Sequence, residues 1–143
     1  MPRAKRNYKL NTYYHLYNRG NRKQLVFFDD LDYQTFLDNI YHYANRYDVQ
    51  IPAHCLMPNH FHLAVRSLYA VENISMLMQS AMTKFCVYSN RRYKVVGRTF
   101  QGTYKHTVID SEYAFNSLMK YFRNNPVKAG MVKEGEYYKW LKT

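Results

Sequence analysis

The stretch CLMPNHFHLAVRS, residues 55–67, decides how the rest of the chain is read. It places His60 and His62 around Phe61 in a run with strand character. A period of two sends Phe61, Leu63 and Val65 to one face and His60, His62 and Ala64 to the other. Upstream, VQIPAHCLM alternates Val49, Ile51, Ala53, Cys55 and Met57 on one face, and Pro58-Asn59 is a turn signal. The two runs predict a β-hairpin with a histidine pair beside its turn. With 6 histidines in the chain, an accidental His-x-His arises in about one such chain in four. The pair alone therefore decides nothing: it either lies on a solvated sheet face or holds something.

Working outward, TYYHLYNRG (12–20) predicts a strand ended by Asn18 and Gly20. The following helix opens at Asp29 and Asp30 as caps and carries Tyr33, Phe36, Leu37, Ile40, Tyr41 and Ala44 at helical spacing. After the hairpin, a second helix shows the stripe Ile74, Leu77, Met78, Ala81 and Phe85, with Arg91, Arg92 and Lys94 at its basic end. That end suits the helix dipole and equally suits phosphates. GRTFQGTYKHTVID reads as a strand in which Gly102 marks a bulge or close backbone approach. The last helix, EYAFNSLMKYFRN, has Phe115, Leu118, Met119 and Phe122 as its stripe. The order β-α-β-β-α-β-α predicts an α+β fold of ferredoxin-like, split β-α-β type. An antiparallel sheet is covered by helices, with one helix appended at the carboxyl end.

Composition narrows the partners. The 143 residues suit one domain, 1–143, with a basic amino-terminal arm over 1–11. Net charge is +11 and aromatics reach 17%, mostly the 16 tyrosines, a combination suited to single-stranded nucleic acid. Cys55 and Cys86 form no CxxC and predict reduced thiols in a cytosolic protein. The start, MPRAKRNYKL, lacks the apolar segment of a secretory signal, and no apolar run is long enough to span a membrane.

Two histidines are too few for a closed structural zinc site, and no cysteine pair completes one. An open site for a divalent cation, finished by an amide or carboxylate and by substrate oxygens, fits the pair better. On the last helix Tyr121 and Asn125 lie about 40° apart and one turn removed, so they project from one edge. Against this, Tyr121 also reads as a core-edge tyrosine. Asn125-Pro126 likewise reads as a helix start, with Asn125 as cap and Pro126 at the first position.

The segments LMPNHFHLAV, GRTFQGTYK and YFRNNPVKAG occur in the order seen in single-tyrosine HUH transposases. From about Tyr13 to Val132 the chain resembles that superfamily, and most of all its REP-associated tyrosine branch with an IS200-like transposase domain. YHLYNRGNRKQLVF resembles the branch's usual first strand and following loop. The resemblance implies that His60 and His62 bind Mg²⁺ or Mn²⁺, that Tyr121 is the nucleophile, and that Asn125 is the third ligand. It implies nicking and joining of single-stranded, hairpin-flanked DNA through a 5′-phosphotyrosine, by a monomer or by a homodimer that completes the site with a partner's helix. The chain departs from the pattern at Thr103, where relatives carry arginine, so one phosphate or base contact is expected to be missing. A carboxyl-terminal DNA-reading extension is also expected to be missing, because little follows Trp140.

Such a site is chemically coherent, because a phenol is a weak nucleophile at neutral pH and needs charge neutralised on the phosphate it attacks. Arg19, Arg22, Lys23, Arg91, Arg92, Arg98 and Lys105 are the candidate DNA contacts, and Gln101 and His106 are candidates for positions beside the site. The alternative is a non-catalytic module of ferredoxin-like fold that holds single-stranded nucleic acid on exposed aromatics. A third reading is a metal-dependent hydrolase that uses water and leaves Tyr121 idle.

Overall fold

The computed structural model describes residues 6–143; the first five residues of the predicted basic arm lie outside the described residues. In chain order the elements are β1 (Tyr13–Arg19), a 3-10 turn (Asn21–Lys23), α1 (Asp30–Arg46), β2 (Val49–Met57) and β3 (His60–Ser67). They are followed by α2 (Asn73–Tyr93), β4 (Lys105–Ile109), α3 (Glu112–Lys128) and β5 (Leu141–Lys142). The sheet order is β4-β1-β3-β2-β5. Every pairing is antiparallel. This is the predicted α+β architecture with one further strand at the carboxyl end. Among the described residues no helix is long and apolar enough to cross a membrane.

The hairpin forms as the alternation predicts. Its turn is Pro58-Asn59, with Met57 opposite His60 and Cys55 opposite His62. Phe61, Leu63 and Val65 are fully buried against the helical layer, where Phe61 meets Phe36 of α1 at a centroid distance of 5.1 Å. The single-face reading of β2 fails at its start. A register shift between Gln50 and Ala53 pairs Val49 with Ser67, on the helical face, but Ala53, Cys55 and Met57 with Ala64, His62 and His60. Pro52 lies at that irregularity; it has no N–H for a ladder and is tolerated where the ladder is already broken.

α1 begins as read, with the Asp29 carboxylate accepting from the Asp32 N–H. Of its predicted stripe, Tyr33, Phe36, Leu37, Ile40 and Ala44 are buried, while Tyr41 is half buried with its hydroxyl bonded to His54; the predicted stripe of α2 is buried throughout. α3 starts at Ser111, whose hydroxyl caps the Ala114 N–H. It crosses the opposite sheet face, so Ala64 and His62 are buried as well. Helices therefore cover both faces.

Two expectations change along α3 and before β4. The helix does not stop at Asn124: it runs through Pro126 to Lys128, and Ala129 N–H donates to the Asn125 carbonyl. Asn125 is thus an interior helical residue and not the cap of a new helix. Pro126 gives up one backbone hydrogen bond in the last turns but is buried there, which offsets part of that cost. The segment before Lys105 is irregular, with Phe100 making an isolated bridge to Gly20 and Gly102 at φ +63°.

The arm is docked from Arg6 onward. Tyr8 is buried with its ring 4.9 Å from Tyr14, and the Arg6 guanidinium lies over Tyr104. At the other end Trp140 stacks on Tyr33 at 4.8 Å, and its carbonyl accepts from the Leu56 N–H. This anchors β5 on the edge of β2.

Candidate active site on the His60–His62 face

Register builds the site. Across the β1–β3 ladder Arg19 is opposite His60, Tyr17 opposite His62 and His15 opposite Ala64. Across the β1–β4 ladder Lys105 is opposite Tyr17. Residues directly opposite share a face, so Arg19, Tyr17, His15 and Lys105 join the histidine pair. α3 lies over them: Phe115 packs on Tyr13 and Phe122 on both His15 and His62. The helix thus advances along the face toward the His60 end. Tyr121 sets its ring perpendicular to His62, with centroids 5.4 Å apart, and remains half exposed. Asn125 follows one turn further on.

Hydrogen bonds orient the imidazoles. His60 Nδ1 is 2.7 Å from Asn59 Oδ1; a carbonyl oxygen only accepts, so Nδ1–H donates and Nε2 keeps its lone pair. His62 Nδ1 is 2.9 Å from His15 Nε2, leaving His62 Nε2 aimed inward. The His60 and His62 rings are 5.1 Å apart at 87°. Burial lowers all three pKa values: His62 to about 3, with the charges of His15 and His60 adding to the effect, His15 to about 4, and His60 in the same direction. All three rings are therefore neutral at physiological pH, the form that ligates metals. Cys55 sits beside His62, but burial pushes its thiol up to about 12, so it offers no thiolate.

The donor set suits a divalent cation. Among the described residues, His62 Nε2 and Asn125 Nδ2 are buried without a hydrogen-bond partner, and such orphans in a folded core call for a reason. Rotating the Asn125 amide exchanges its oxygen and nitrogen, so an oxygen donor can take the orphaned position. Among the described residues no group of three or more His, Cys, Asp or Glu is gathered for a metal. Two imidazoles, and an amide that can present oxygen, are donors of the kind that suit borderline-to-hard divalent ions.

The basic candidates divide. Arg19 hydrogen-bonds Gln101 beside His60. Arg22 and Lys23 adopt positive φ, 55° and 60°, in a loop that Asn59 ties to the hairpin turn by donating to the Lys23 carbonyl. Gly20 N–H donates to the Asn59 carbonyl in the same place. Arg22 and Lys23 thus lie beside the hairpin turn that carries Asn59 and His60, while Lys105 lies two strands from His62 on the same sheet face. Arg91 and Arg98 are exposed elsewhere, and His106 turns to the other face, against Tyr8 and Tyr14. Arg92 is committed to Asp29 and Asp32 in an ion pair that ties α2 to the start of α1, so it is not free for DNA. His15 was not singled out from the sequence. Its alternation with Tyr17 and Arg19 was visible, but not the register that brings it to His62.

A Cβ on Gly20 would overlap the Gln24 carbonyl oxygen and crowd Val26. Gly20→Ala should therefore displace the loop bearing Arg22 and Lys23. We expect a stability loss of roughly 2 kcal/mol in chemical denaturation, together with weaker DNA binding. Unchanged values of both would show that the loop yields freely.

Similar structures carry the same fold. One is a REP-associated tyrosine transposase bound to a REP hairpin: TM-score 0.77, 19% identity, covering 99% of this chain and 82% of that one. Another is a provisionally assigned transposase from Deinococcus radiodurans R1: TM-score 0.57, 17% identity, covering 86% and 97%. No curated protein matches the sequence significantly. The profile of the family described as "Transposase IS200 like" matches residues 8–125, a span that contains the histidine hairpin, Tyr121 and Asn125. The chain belongs to the IS200-like transposase family.

Proposed function

We propose that the chain nicks and rejoins single-stranded DNA beside a hairpin, with Tyr121 as nucleophile and His60, His62 and Asn125 as ligands of Mg²⁺ or Mn²⁺. The observation that carries this reading is the Tyr121 ring, held edge-on to His62 at 5.4 Å within one chain. The hairpin preference is supported by the REP hairpin held by the structurally similar transposase.

A cation held there would withdraw charge from the non-bridging oxygens of the scissile phosphate and orient it for in-line attack. The Tyr121 oxygen bonds to phosphorus as the P–O3′ bond breaks. Its proton passes to solvent, and the departing 3′-oxygen takes one up. The 5′-phosphate stays on the tyrosine as an ester, so a later 3′-hydroxyl can attack it and join strands. Asn59 holds the His60 ring and His15 holds the His62 ring, each through the nitrogen turned away from the site. Arg19, Arg22, Lys23 and Lys105 neutralise the strand backbone around it. One tyrosine serves one cleavage, so excision takes two sites in a homodimer or two successive events.

The test is incubation of the full chain with labelled hairpin DNA bearing single-stranded flanks and Mn²⁺, followed by denaturing electrophoresis. A slow species that protease shrinks, with a free 3′-hydroxyl on the partner fragment, is the expected result. DNA that is bound but stays intact would leave a binding module. A free 5′-phosphate with no adduct at any time would point to a water-using hydrolase.

A further inference from the structure

The outer arm of the histidine hairpin is β2, and its free edge is held by the segment Tyr138–Trp140. Backbone alternation shows what that hold reaches. In an antiparallel ladder, residue pairs that exchange both hydrogen bonds alternate with pairs that exchange none. Leu56, opposite Phe61, gives its N–H to the Trp140 carbonyl at 3.0 Å, and its own carbonyl accepts from the Tyr138 hydroxyl at 2.8 Å. Both groups point away from β3, so Leu56 and Phe61 form a pair without mutual bonds. The flanking pairs, Cys55 with His62 and Met57 with His60, are then the bonded ones. Across β3, the bond from the Gly20 N–H to the Asn59 carbonyl sets the complementary phase, in which Phe61 and Leu63 bond to β1. The backbones of both histidines therefore hang from β2, on either side of the residue gripped from outside.

The grip is made of buried aromatic groups more than of strand. β5 has only 2 residues, whereas Tyr138 and Trp140 are 8% and 6% exposed. Trp140 lies at 7° to the Tyr33 ring of α1, and Lys139 pairs with Asp30 at 3.1 Å. Leu141 stands opposite Cys55, on the histidine face. The segment thus ties α1 in the helical layer to the site side of β2. Covering a sheet edge takes backbone bonds alone. A phenol buried to satisfy the Leu56 carbonyl adds a fixed point at the end of β2, next to the turn that leads to His60. We infer that Tyr138 and Trp140 are a clamp that positions His60 and His62, holding the two imidazoles at the spacing in which they can share a cation. The clamp lies beyond residue 125, where the family match ends. Neither residue touches the reacting atoms, and the role rests on the ligand assignment proposed above.

Amide hydrogen exchange, followed by NMR on the metal-free chain, tests the clamp. Tyr138→Phe removes one oxygen and leaves the Leu56 carbonyl buried without its partner; Trp140→Ala removes the stack on Tyr33. In both, the His60 and His62 amides should exchange about tenfold faster, the scale of one lost buried hydrogen bond. Phe61 and Leu63, bonded to β1, should keep wild-type rates. A purely structural role would move all these amides together, through the same global opening. Ile74→Val, a core change in α2, should show that uniform pattern and serves as the control. Mn²⁺ affinity, measured by calorimetry, should fall with the exchange protection, by about tenfold in Trp140→Ala. Equal shifts at histidine and reference amides, or none at all, would overturn the inference. Wild-type Mn²⁺ affinity in Trp140→Ala, where His62→Ala has lost it, would do the same. Exchange requires neither metal nor DNA. A wild type that binds no Mn²⁺ and forms no adduct would sink the ligand reading, and exchange alone would then decide whether the clamp holds the hairpin.

Discussion

Tyr121→Phe should abolish the covalent protein–DNA adduct and lower strand cleavage by about four orders of magnitude or more, the scale expected when a nucleophile is removed from an otherwise intact site. The change deletes one oxygen. The ring keeps its edge-on packing against His62 and its contact with His15 at 6.4 Å. Tyr121 is 45% exposed, so little buried surface is at stake and the thermal midpoint should hardly move. DNA affinity should also persist, because the groups proposed to neutralise the backbone lie on β1, β4 and the loop after β1. The combination is what makes the test sharp: folding and binding intact, chemistry gone. Quantifying adduct and cleaved strand on the same denaturing gel checks it. A Phe variant that still cleaves at the wild-type rate would transfer the nucleophile's role to water.

Legibility of the molecule in its sequence followed the range of each interaction. The hairpin was legible because a period of two and a Pro-Asn turn are local. The stripes of α1 and α2 were legible for the same reason, and Asp29 stood where a cap belongs. The face of β2 was misread at Val49 because an irregularity at Pro52 shifts the register by one, and one residue turns a side chain to the opposite face. β5 is only Leu141–Lys142, too short to leave a pattern; Trp140, not strand propensity, pins it. Arg92 looked like a phosphate ligand because its partners Asp29 and Asp32 are about sixty positions away. The role of Pro126 turned on burial, which local sequence does not state. At the site itself, the resemblance marked His60, His62, Tyr121 and Asn125. The geometry adds which neighbours orient them.

That orientation leads to the second large effect. His62→Ala should lower Mn²⁺ affinity by at least a hundredfold, because it removes one of two imidazoles from a set with little redundancy. The fold should survive: the ring lies on the α3 face, while Phe61, Leu63 and Val65 still fill the helical side of the sheet. His15→Ala leaves both proposed imidazole ligands in place but takes away the partner 2.9 Å from His62 Nδ1. Loss of such a partner typically costs 10–100-fold in metal affinity, so this variant should fall between wild type and His62→Ala. His15→Gln keeps a polar group within reach of Nδ1 and should recover part of the loss. Titration calorimetry with Mn²⁺ orders the four proteins, and thermal melts without metal show whether stability alone accounts for the order. If His15→Ala binds Mn²⁺ like wild type, His15 is packing under Phe122 and nothing more. If His62→Ala does so, the cation lies elsewhere, and the buried, unpartnered Nε2 of His62 needs another explanation.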